Sequence, residues 1–77
     1  MKYLLYIGDA WLSTRSLELI AVCDTLEHTI SLAKEFAKLE NEPLDEQAGN
    51  FLATYFQTQG RDTNFFINLI ELNTLID

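Results

Sequence analysis

The sequence predicts a small α+β protein, a three-stranded sheet with one main helix and a second, shorter helix packed on one of its faces. Three observations predict it. The runs KYLLYIG, LELIAVC and FFINLIEL are rich in Leu, Ile and aromatic residues and are bounded by turn residues, as strands are. Between the second and third runs, apolar residues recur at helical spacing. At 77 residues there is room for one hydrophobic core, so residues 1–77 form a single domain.

Residues 2–8 are the first strand, stopped by Gly8 and Asp9 and apolar on both faces. A polar, turn-rich connection over 9–16 interrupts its polarity only with Trp11 and Leu12. Residues 17–23 are the second strand, and so short a connection predicts antiparallel pairing with the first. Asp24-x-x-Glu27 has capping-box spacing, and Thr25 is a rival cap one residue on. The helix that follows runs to about Leu39. Leu26, Ile30, Ala33 and Ala37 share one face, which Leu32, Phe36 and Leu39 widen. Glu27, Ser31, Lys34, Glu35 and Lys38 form the wet face. The acidic stretch 40–46 contains the chain's one proline and reads as an exposed connector. A weaker helix is expected over 44–57 on the spacing of Leu44, Ala48, Phe51, Leu52, Tyr55 and Phe56, with Gly49 as its defect. Residues 57–64 hold no apolar side chain and read as a loop, and 65–72 as the last strand. The second helix returns the chain so that the last strand lies beside the first, which becomes the central strand. Both helices then cover one sheet face. The other has nothing in the chain to cover it, and homo-oligomerisation through that face or a strand edge is the expectation.

The net charge of −7 argues against a phosphate backbone or an anionic membrane as partner, since both need clustered cations. The five basic residues, Lys2, Arg15, Lys34, Lys38 and Arg61, are scattered. Cys23 is alone, so no internal disulfide forms, which fits a reducing cytoplasm. The apolar run 3–7 is too short for a signal-peptide core, and no stretch approaches a membrane span. The expected location is the cytoplasm, that of the host if the chain is phage-encoded.

Chemistry is sparse. His28 and Cys23 are the only residues of their kinds, too few for a structural zinc site, and no metal or cofactor is expected. Cys23 precedes a helix start and has His28 as a conceivable base, but a lone strand cysteine is more often a small buried apolar residue. No enzyme is expected. The carboxylates Glu40, Glu42, Asp45 and Glu46 form either a solvated cluster or an acidic contact patch for a basic partner. Gly60 and Arg61 match no phosphate-loop pattern. A binding site is expected where Trp11 and Arg15 of the first connection meet Gln57, Thr58, Gln59 and Arg61 of the polar loop. It would be an aromatic-and-amide surface for a partner's loop or a small polar ligand.

The run LIAVCDTLEHTISLAKEFAK, with the final strand NFFINLIELNTLI, resembles a pattern in small uncharacterised bacterial and phage proteins. There a strand ends in a capped turn, a helix with repeated Ala follows, and the last strand ends in Glu-Leu. Where that pattern often has Phe before the cap, this chain has Cys23. The group has no agreed activity, so the resemblance assigns no residue a role. It implies a small phage accessory protein, of the kind that inhibits host defence. The resulting expectation is a non-enzymatic acidic protein that acts by occupying a partner, as an inhibitor of a host protein or a regulator. The alternative is a homo-oligomeric binder that sequesters a small polar ligand such as a nucleotide.

Overall fold

The computed structural model describes residues 1–60 and 63–71. Its elements are β1 (Lys2–Asp9), β2 (Glu18–Cys23), α1 (Leu26–Leu39), α2 (Glu46–Tyr55) and β3 (Thr63–Ile70). The sheet order is β2-β1-β3, and β1 pairs antiparallel with both neighbours. This is the α+β architecture expected, with the first strand in the centre.

Strand alternation divides the sheet residues between two faces. Leu5 and Ile67 face the helices and are almost fully buried, with Phe65 beside them. Ala33 and Ala37 of α1 and Leu52 of α2 close the core from the other side. The small alanines let α1 lie close to the sheet, and Phe36 meets Phe65 edge to face at 6.3 Å. Between Leu5 and Tyr6 the β1–β2 register shifts by a residue, and Ile20 and Ala21 both pack against the core.

Local details depart from the expectation for identifiable reasons. Thr25, not Asp24, caps α1, its hydroxyl accepting the His28 N–H at 3.1 Å. Asp24 pairs instead with Lys2 at the start of β1. The ammonium, donating to and sitting beside the Asp24 carboxyl, holds that carboxyl below its ordinary pKa. Leu39 is 81% exposed and leaves the apolar stripe, because it is the last residue of α1 and the backbone turns away, with Asn41 left-handed at φ 61°. Thr29 joins the buried face, its hydroxyl donating to the Thr25 carbonyl at 2.7 Å. The second helix is shorter than 44–57. Asp45 caps it by accepting the Ala48 N–H at 2.7 Å, and Phe56, left-handed at φ 60°, ends it. Leu44 and Phe56 still pack on the core from outside the helix, so the apolar spacing outruns the helix. Tyr55 turns out to solvent beside Phe51.

The stretch 57–64 is not all loop. The Thr58 N–H donates to the Phe65 carbonyl at 3.0 Å, the Ile67 N–H donates to the Phe56 carbonyl at 2.8 Å, and Gln57 bridges Phe66. The chain thus leaves α2 by running back along the outer edge of β3. β3 begins at Thr63, two residues earlier than expected, and ends at Ile70. Leu72 and the tail beyond it lie outside the described residues.

Candidate functional site

The site forms at one end of the sheet, where β1 ends at Asp9, β3 begins at Thr63, and the chain arrives from α2. Two segments build it: the first connection after β1, and residues 57–60.

Asp9 organises the first connection. Its Oδ1 accepts the N–H groups of Trp11 and Ser13, each at 3.0 Å, and its Oδ2 accepts the Ser13 hydroxyl at 2.8 Å. The Ser16 hydroxyl accepts the Asp9 N–H at 3.0 Å and donates to the Ser13 carbonyl at 2.8 Å. Such a carboxylate-centred turn gives backbone groups partners without strand or helix. The Ser13 N–H and hydroxyl, with help from Trp11 and Ser16, favour the ionised form and hold the Asp9 carboxyl below its ordinary pKa. The connection then folds back over the sheet. A Cβ at Gly8 would lie 3.0 Å from both Leu17 Cδ2 and Ser16 Oγ and 3.3 Å from Leu12 Cδ2, so only glycine admits this close approach without displacement. Leu12 takes a left-handed backbone, φ 52°, in doing so.

The second segment is pinned by Asn64, which is 1% exposed. Its Oδ1 accepts the Thr58 hydroxyl at 2.9 Å and the Gly60 N–H. Its Nδ2 donates to the Ala10 carbonyl at 2.9 Å and, more weakly, to the Gly60 carbonyl at 3.5 Å. The Thr58 hydroxyl in turn accepts the Phe65 N–H at 2.9 Å. One buried amide therefore ties both segments together, with all four of its hydrogen-bonding positions used.

Between the segments lies a cleft of about 530 Å³ lined by Ala10, Trp11, Leu12, Leu17, Gln57, Thr58, Gln59, Gly60 and Phe66. Among the described residues that line it, none is charged. Trp11 stands at its rim, 87% exposed. The structure thus brings together Trp11, Gln57, Thr58 and Gln59, as the sequence suggested. Arg15 is exposed but does not line the cleft, because the Ser13 to Ser16 turn carries it away. Arg61 lies outside the described residues. Sequence reasoning missed Asp9, Asn64 and the apolar floor of Leu12, Leu17 and Phe66. The Asp9-x-x-x-Ser13 spacing was the one available signal.

A second cleft, about 510 Å³, lies on the far side of residues 58–60. Glu42 and Asp45 line it with Phe51, Phe65 and Thr63, whose hydroxyl donates to Glu42 at 2.9 Å. Of the four carboxylates expected as a patch, two reach this cleft. Glu40 is the C-terminal cap residue of α1, and Glu46 occupies the first turn of α2, where a negative charge suits the helix end.

Cys23 is 3% exposed, and His28 is exposed on the first turn of α1. Among the described residues no group of three or more His, Cys, Asp or Glu is placed to hold a metal ion. No helix among them is long and apolar enough to cross a membrane. Comparison with known proteins finds no matching family model, no matching curated protein and no matching solved structure.

Proposed function

We propose that this chain is a non-enzymatic binding protein that acts by occupying a protein partner, as an inhibitor or regulator in the cytoplasm. One observation carries the reading: Trp11 is 87% exposed on a connection that Asp9 braces with three hydrogen bonds. A bare indole costs solubility and is rarely left out on an ordered turn, whereas tryptophan is among the residues most enriched at binding hot spots. The bracing lowers the ordering cost of docking. The burial of Cys23 supports the non-enzymatic part, since a buried structural thiol is inert. The resemblance read from the sequence, to small uncharacterised bacterial and phage proteins, is the ground for proposing a host protein as the partner. The test is capture from a lysate of the native cell with the immobilised chain. A partner retained by the wild type and lost with Trp11→Ala is the expected result; equal retention by both would remove the reading.

A second reading is a homo-oligomeric binder of a small polar ligand, such as a nucleotide. The aromatic and amide side chains among the described residues of the Trp11 cleft favour it, because such groups suit a flat base. It predicts a rise in melting temperature with the compound that Trp11→Ala abolishes.

A further inference from the structure

The helices cover one face of the sheet. On the other, the Leu12 and Leu17 side chains cross over at the Gly8 corner, and the Trp11 cleft borders Phe66. Leu4, Tyr6, Leu19, Val22, Phe66 and Ile70 share that open face by strand register, with Lys2 at its end and the exposed Asn68 opposite Leu4. Val22 is 55% exposed and Leu19 48%, and Tyr6 packs beside Phe66 with ring centroids 6.1 Å apart.

Charge is distributed unevenly around this face. The chain has 12 carboxylate residues and a net charge of −7, yet none of the residues that the three strands direct to this side is Asp or Glu. The charged groups at its lower corner, Lys2 and Asp24, pair with each other and sum to zero. A surface built for a basic partner would bring carboxylates into the contact. This one keeps them out, and so removes the local repulsion that two copies of an acidic chain would otherwise meet.

We infer that the open face is where a second copy of this chain docks, sheet on sheet, about a two-fold axis. The patch is apolar but for Asn68 and carries no net charge, so it can meet its own copy in an isologous contact without charge repulsion inside the contact. Packed sheets of this kind interdigitate side chains at about 10 Å separation. Three strands of up to eight residues cover about 26 × 14 Å by strand rise and spacing. Two such faces have a combined footprint of about 700 Å², below the standard size of a specific contact, so the dimer is weak and reversible. The inference shares self-association with the second functional reading but does not depend on Trp11. It is read without any ligand or partner, so either can fail alone.

Sedimentation equilibrium from micromolar to millimolar protein, at low and high salt, tests it. The wild type should pass from monomer to dimer across that range, with the dimer strengthened severalfold by salt as the remaining negative charge is screened. Val22→Lys and Leu19→Lys each put two lysines into the symmetric contact and should weaken it about a hundredfold. Lysine is tolerated on an edge strand, and an unchanged circular dichroism spectrum and melting temperature establish the fold of each variant. Glu35→Lys, on the wet face of α1, should dimerise at least as well as the wild type. A wild type that stays monomeric to millimolar concentration at high salt overturns the inference. So does a dimer that both folded lysine variants form as tightly as the wild type, or one that salt weakens.

Discussion

At the scale of single residues, the candidate site depends on two side chains that hydropathy would send to water. Asn64 is buried because four groups from two segments converge on it. Replacing it with alanine removes the acceptor of the buried Thr58 hydroxyl and the partners of the Gly60 N–H and the Ala10 carbonyl. Asn64→Ala should therefore lower stability by about 2–4 kcal/mol in urea denaturation. Asp9 acts through its charge. Its folded pKa is lowered, so it contributes stability above the unfolded carboxylate value and loses it as pH falls through the folded value. Acidification below the ordinary aspartate range should loosen the first connection. Trp11 is the chain's single tryptophan, so its fluorescence reports that change directly. In Asp9→Asn the same fluorescence should be flat across that range.

At the scale of elements, what the sequence revealed follows from how each element is stabilised. α1 has a strong apolar period and a wet face, so its length and five exposed polar residues were readable directly. The two apolar faces of β1 marked it as central. The cap of α1 was ambiguous between Asp24 and Thr25, because the deciding contact, Lys2 with Asp24, is 22 residues away in sequence. The pairing of residues 56–58 along β3 was unreadable. Gln57 and Thr58 are polar, and the partners of this stretch are supplied by the fold rather than by any local period. Gly49, read as a defect of α2, is buried where α1 and α2 approach each other, and a Cβ there would meet the Lys34 side chain, with Cε at 2.8 Å. That arm is long and its end is free to swing. Gly49→Ala should therefore gain about 0.5–1 kcal/mol from helix propensity, seen as a higher melting temperature. A loss would mean that Lys34 is held in place.

At the scale of the whole molecule, the fold separates three kinds of surface. The helices carry charge on their outer sides, the strand residues of the open sheet face include no carboxylate, and that face runs at one end, through Phe66, into the cleft with Trp11 at its rim. This segregation was only half visible in the sequence. Composition forecast surplus apolar surface, and the strands showed which runs supplied it. The meeting of Trp11 with residues 57–60 required the tertiary tie through Asn64.

Trp11 stands bare on a turn braced by Asp9, where the proposed partner would cover it. Fluorine NMR of the chain labelled with fluorotryptophan reads this at one atom. The expected result is a single sharp resonance, strongly responsive to solvent isotope in the isolated protein, that loses this response when the captured partner is added. A resonance already shielded from solvent in the isolated monomer, or one that the bound partner leaves equally responsive, would contradict it.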